Sequence, residues 1–259
     1  MTAPDPMRQV CVGHADLKSA PARDAGQTSQ VLFGEHFTVF DETDGYARGR
    51  NETDGYSGHV ACSALGSAIT EPTHRVAALR TFLYPGPDLK LPVRDALSLT
   101  SPVHVIGERN GFAELAGGGW VFAAHLAPLE RVETDIAATA LRLLGVPYLW
   151  GGRTSLGIDC SGLVQIALGA AGIAAPRDSH MQRTETGVSL GPVPADGAGL
   201  VLRRGDLVFF PGHVGIMIDE TRLVHATAFV MAVTVEPLAN VVARTDPTRG
   251  GGLIAARRI

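Results

Sequence analysis

The sequence predicts an α+β protein: two small β-barrels, then a larger domain in which helices pack on an antiparallel sheet. Three observations predict it. A pattern of short apolar alternations occurs twice in the first half, each time around an Asp-Gly or Asn-Gly pair. From about residue 131 the period changes, and helical segments precede a run of short strands. The 31 glycines and 16 prolines break the chain into short elements.

In chain order, residues 1 to about 30 are rich in Pro, Ala, Asp and Ser, and only Gln9–Val12 is strand-like. This stretch is expected to be an irregular arm attached to the first barrel, with residues 1–70 forming one unit. The second barrel is placed at residues 71–130. Its pattern repeats the first: Thr38–Ala47 aligns with His104–Ala113, and Gly58–Leu65 aligns with Gly119–Leu126. Asp44-Gly45 and Asn110-Gly111 are hairpin-turn pairs between strands. The interval from Gly45 to Gly58 is about five residues longer than that from Gly111 to Gly119. The excess, around Asn51–Gly55, makes a polar loop that ends on Tyr56, a candidate binding element. Tyr46 stands where Phe112 lies in the repeat and so belongs to the barrel core. His59 stands where the second copy has Trp120.

The third unit is placed at residues 131–259. Asp135 and its neighbours cap an apolar-faced helix that stops at Gly145. A Pro- and Gly-rich loop, 145–158, leads to Asp159-Cys160, where Asp159 is an N-cap and Gly172 a C′ residue for the next helix. A polar segment, 175–182, opens a further short helix. Strands are expected at about 206–210, 213–218, 222–226, 230–236 and 253–258.

Cys160 thus falls in the first turn of a helix, where backbone N–H groups and the helix dipole favour thiolate, and Gly162 leaves room for approach to the sulfur. His213 opens a strand and His225 ends the next. A buried filler cysteine is the bland alternative. Cysteine, histidine and an orienting polar residue in this order are the layout of a papain-like thiol triad. Cys160 would be the nucleophile, with its own N–H as an oxyanion donor. His213 would hold the imidazolium that stabilises the thiolate and then protonate the leaving amine, and His225 would orient it. Asp159, Ser161, Asp178 and Ser179 put carboxylates and hydroxyls beside the nucleophile, suited to a free ammonium group. A zinc site from His180, His213 and His225 lacks supporting spacing, so no metal or cofactor is expected. The other histidines, among them His59, His104 and His125, read as surface or core residues.

The segments Pro-Tyr-Leu-Trp-Gly-Gly (147–152), Asp-Cys-Ser-Gly (159–162), Arg-Gly-Asp-Leu-Val-Phe-Phe (204–210), His-Val-Gly-Ile (213–216) and His-Ala (225–226) together resemble the NlpC/P60 family of cell-wall cysteine peptidases. The repeated half resembles bacterial SH3-like barrels. The resemblance implies a papain-like catalytic domain and a cofactor-free thiol hydrolase. It also implies that Tyr148 lies near the thiol and adds a second oxyanion donor, and that Tyr56 closes one end of the pocket. Asp159, Ser161, Asp178 and Ser179 match relatives that read the free N-terminus of L-Ala-γ-D-Glu. Such enzymes cut between γ-D-Glu and the diamino acid, diaminopimelate or Lys, in short peptidoglycan-derived peptides, a recycling task.

Composition narrows the alternatives. A net charge of −4 with no Lys/Arg-rich run argues against a nucleic-acid or anionic-membrane partner. No apolar run reaches membrane-spanning length, and the first residues lack the pattern of an export signal, so a cytoplasmic location is expected. Three widely spaced cysteines make no disulfide framework. The rival readings are a hydrolase of intact peptidoglycan stems acting after export or release, and a non-catalytic module that binds wall peptides. The oligomeric state stays open.

Overall fold

Asp44 and Gly45 both take positive φ, 52° and 78°, and so do Asn110 and Gly111, 52° and 74°. Two consecutive left-handed residues make the turn whose twist matches that of the flanking strands. In this computed structural model, which describes residues 6–245 and 251–259, the turns join His36–Thr43 to Tyr46–Asn51 and Val105–Arg109 to Phe112–Leu115. Each copy then runs through a third strand, Ser57–Ala61 or Trp120–Phe122, into a single 3-10 turn. The first residue of that turn donates its N–H to the hairpin glycine in both copies: Cys62 to Gly45 at 2.8 Å and Ala123 to Gly111 at 2.9 Å.

The first copy is completed by Met7–Val10, His14–Lys18, Gln27–Leu32 and Leu65–Gly66, giving a seven-stranded antiparallel sheet. Strands at 14–18 and 27–32 replace most of the irregular arm expected there; the first five residues lie outside the described ones. Alternation explains the strands. Leu17 and Val31 face a core with Val10, Phe37, Val39, Ala47 and Val60, while Gln30 and Leu32, beside Val31, are buried too. The second copy encloses its own core of Val76, Leu97, Val103, Leu115 and Val121.

By packing, the chain divides into one unit reaching Val132 that also takes in residues 153–155, and a second of Glu133–Gly152 with Leu156–Ile259. The short 153–155 excursion departs from a peptidase domain running unbroken from 131. Glu35 is the cause. Its carboxylate, 3% exposed, accepts from the Leu32 N–H at 2.9 Å and the Asn51 amide at 3.0 Å. Its charge is balanced by the buried guanidinium of Arg153 at 3.0 Å, which also donates to the Gln30 carbonyl at 2.8 Å. A buried carboxylate without a cation would be costly, so residues 153–155 go where Glu35 is.

In the second unit Asp135 caps α1 (Ile136–Leu141), accepting from the Ala138 N–H at 3.0 Å. Helix α2 (Cys160–Ala170) is buried at almost every residue and packs on the strands His213–Met217 and Arg222–Thr227. Helix α3 is Ser179–Glu185. The sheet has six antiparallel strands in the order Val188–Ser189, Ala255–Arg258, Leu207–Phe210, His213–Met217, Arg222–Thr227, Ala232–Pro237. Helix α4 (Leu238–Arg244), which the sequence reading did not anticipate, follows Pro237 and contributes Val241 and Val242 to a core with Val208, Phe210, Met217 and Leu223. Leu207–Phe210 is buried on both faces as a result.

Candidate active site

The start of α2 is built around Asp159, which takes extended backbone angles and sends its carboxylate back over the first turn. One oxygen accepts from the Gly162 N–H at 2.7 Å, the other from the Gly151 N–H at 2.9 Å. Arg177 donates to both, at 3.0 and 2.6 Å, and also to the Ser161 hydroxyl at 2.7 Å; that hydroxyl in turn bonds Asp159 at 3.3 Å. Asp159 is therefore saturated by groups of the protein, whereas the Ser161 hydroxyl, having donated to Asp159 and accepted from Arg177, keeps one acceptor lone pair. The expected role of Asp159 in holding a substrate ammonium is corrected: it caps α2 and neutralises Arg177, because a buried carboxylate satisfied by fixed donors has no lone pair to spare. Gly162 has a different reason from the one expected. A Cβ there would sit 2.2 Å from the Gly152 carbonyl oxygen, so glycine lets the loop and the helix start touch.

Cys160 is the first residue of α2, buried at 7% exposure. The N–H groups of Val214 and Ser161 hydrogen-bond its sulfur and favour thiolate, but burial and the neighbouring Asp159 charge outweigh them and push the thiol up to about 11. Burial and the Asp159 charge thus oppose the thiolate that the helix start favours. His213 is correspondingly held low, by burial first and by His225 second, so it rests as a neutral base.

His213 Nε2 lies 2.8 Å from His225 Nδ1. With Nδ1 of His213 left to take the thiol proton, Nε2–H must donate to His225, which places the second proton of the pair on His225 Nε2. That atom is fully buried and 3.7 Å from the Glu236 carboxylate, which is also held by Arg244 at 2.7 Å. Burial holds His225 low as well, with Arg244 adding to the effect, so it orients its neighbour as a neutral ring. The line Cys160, His213, His225 is carried on three adjacent elements: α2 and the two central strands.

Tyr148 is fixed by its N–H donating to the Met231 carbonyl at 2.9 Å. Its phenol is raised to about 12, by burial first and then by the nearby Cys160 and Asp159 charges. It therefore stays protonated and close to the thiol, as an oxyanion donor must. The Cys160 N–H has no acceptor among the described residues. Asp178 and Ser179 start α3, where the Asp178 side chain makes no cap hydrogen bond. Gln182, fully buried, ties α3 to the nucleophile, its amide donating to the carbonyls of Ser161 at 3.0 Å and Pro176 at 2.8 Å. Arg177, Gln182 and Glu236 had no assigned role in the sequence reading. The signal available was the Arg-Asp-Ser-His-Met-Gln run, polar yet set between two apolar elements. Tyr56 belongs to the other unit, where its ring packs on the first barrel's core. Among the described residues no group of three or more His, Cys, Asp or Glu side chains could hold a metal.

Against known proteins, the NlpC/P60 family matches residues 145–248, and the bacterial dipeptidyl-peptidase Sh3 domain matches residues 17–65. The chain is similar to the γ-D-glutamyl-L-lysine dipeptidyl-peptidase of Bacillus subtilis, 28% identical over 224 residues, covering 76% of this chain and 71% of the relative. It is 36% identical over 105 residues to dipeptidyl-peptidase 6 of Lysinibacillus sphaericus, a match spanning 40% of the chain and just 36% of that relative's length. An NlpC/P60 family protein from Bacillus cereus shares the fold, with a TM-score of 0.79 at 21% identity over 97% of this chain and 99% of its own. The buried thiol at a helix start, the paired histidines on the central strands and these matches agree: the chain carries an NlpC/P60 domain preceded by a bacterial SH3 domain.

Proposed function

We propose that the chain is a cytoplasmic endopeptidase of peptidoglycan turnover, cutting the γ-D-glutamyl bond to the diamino acid in short peptides with a free N-terminal L-Ala. Its chemistry is that of a cysteine peptidase, and one observation carries it: the thiol at the start of α2 with the 2.8 Å His213–His225 pair beside it. The thiol gives its proton to His213 as sulfur attacks the γ-carbonyl carbon. The oxyanion is met by the Cys160 N–H and the Tyr148 hydroxyl. His213 then protonates the departing amine, the C–N bond breaks, and a thioester remains. Water, deprotonated by His213, attacks it; the C–S bond breaks and the thiol regains its proton.

Support for the substrate comes from two sides. The Bacillus subtilis relative is named a γ-D-glutamyl-L-lysine dipeptidyl-peptidase. Asp178 and Ser179 stand at the start of α3, tied to the nucleophile's helix through Gln182, and are proposed to read the free N-terminus on the acyl side.

The test compares L-Ala-γ-D-Glu-meso-diaminopimelate with its N-acetylated form by mass spectrometry. Cleavage of the free peptide alone, lost in Cys160→Ala, is the expected result. Equal cleavage of both would remove the amine requirement and favour hydrolysis of intact stems. Cleavage of neither would overturn the substrate.

A further inference from the structure

A second recess opens beside the catalytic histidine. It has a volume of about 280 Å³ and lies between α3, which contributes Ser179, His180 and Arg183, and the Phe209–Gly212 turn. Pro211 and Gly212 join the Leu207–Phe210 strand to the one that begins with His213, so the wall of this recess continues directly into the residue that protonates the leaving amine.

The chemistry of the lining is one-signed. Arg183 is half-buried, and among the described residues no carboxylate or carbonyl pairs with its guanidinium. His180 adds a second potential donor. No Asp or Glu lines the recess. Arg183 is also held in place from behind: the Arg257 guanidinium donates to the carbonyls of Arg183 at 2.9 Å, Gly187 at 2.7 Å, and Thr186, gripping the C-terminal end of α3. A cation of this kind, fixed on a short helix and left without a counter-charge in a recess, fits a planar anion of two oxygens.

Resting on the γ-D-glutamyl reading above, we propose that this recess is the leaving-group subsite and that Arg183, aided by His180, binds a carboxylate of the departing diamino acid. That carboxylate is either the α-carboxylate, present in Lys and diaminopimelate alike, or the distal one that diaminopimelate alone carries.

The test measures kcat and KM on L-Ala-γ-D-Glu linked to L-Lys, to L-Lys amide and to meso-diaminopimelate. The wild-type protein is expected to cleave the amide at least tenfold less efficiently than the best substrate, mostly through KM. Preference for both acids over the amide assigns the α-carboxylate; preference for diaminopimelate over both Lys forms assigns the distal one. Arg183→Gln is expected to erase the discrimination, and Arg183→Lys to restore part of it, with unchanged thermal unfolding showing that both fold. Cleavage of all three within twofold, or an equal loss on all three in Arg183→Gln, overturns the subsite. If none is cleaved, calorimetric titration of Cys160→Ala with meso-diaminopimelate separates the two ideas. Binding lost on adding Arg183→Gln keeps the subsite and overturns the γ-D-glutamyl substrate, whereas no binding overturns both.

Discussion

Among the described residues Arg177 is the largest side chain that the protein buries almost completely, and it sits where a charge is hardest to keep. It stays because Asp159 takes both of its terminal nitrogens and Ser161 takes one of them. Removing it would strand a buried carboxylate one residue from the nucleophile. Arg177→Ala is therefore expected to cost about 3–5 kcal/mol, read from the midpoint of urea unfolding at pH 7. The same residue scale sets the pH profile. His213 must be neutral to take the thiol proton, and burial holds it below the usual imidazole range. Activity should thus fall only when pH drops well below about 6.5, the ordinary histidine value. A plot of log kcat/KM against pH with its acid limb at or above that value would contradict the burial argument. Of these residues, Cys160, His213 and His225 could be read from type and position. Arg177 and Glu236 could not be assigned, since their roles depend on which charge they meet.

Among the elements, α2 carries the most constraint. Its first turn holds the nucleophile, its cap binds Arg177, and its second-turn side chains are buried against the sheet. Gly162 is the point where loop and helix press together, 2.2 Å from a would-be Cβ to the Gly152 oxygen. Both partners are backbone, so neither can swing aside. Gly162→Ala should lower stability by at least about 1–3 kcal/mol and move Cys160 relative to His213, cutting kcat more than it raises KM. An Ala variant as stable and as active as the wild type would show that the loop can retreat. The helix itself was readable from Asp159 and the apolar run behind it. The strands at 14–18 and 27–32 were less so, because His, Asp, Lys, Gln and Ser alternate there with few apolar residues, and only the barrel core reveals which face they bury. Helix α4 was hidden for a related reason: its Val-Val pair, 241–242, reads as strand until it is seen closing the face of the sheet.

For the whole molecule, acid should be the first stress to tell. His225 is fully buried and held down to about 4. The unfolded chain takes up that proton near pH 6.5 and the native one does not, so the unfolded state binds more protons between those values and stability falls as pH falls. The slope is about 1.4 kcal/mol per pH unit, roughly 3 kcal/mol in total from this one ring. Calorimetric scans from pH 7.5 to 4 should show Tm dropping through that window, and a His225→Gln variant should drop less; parallel curves would refute the assignment.

By itself, the sequence determined what local rules govern. These are the two hairpin turns, where consecutive residues at positive φ need Asp-Gly or Asn-Gly; the N-capped helix that starts at Cys160; the alternating strands; and the order of thiol and histidines. Tertiary structure decided what depends on burial and on distant partners. It turned Asp159 from a substrate ligand into the counter-ion of Arg177, set burial and the Asp159 charge against the thiolate that the helix start favours, and drew residues 153–155 to Glu35, 118 positions away. The reason is common to all three. A charge removed from water is governed by whichever opposite charge or donor the fold brings within hydrogen-bonding reach, and sequence spacing does not say which one that will be.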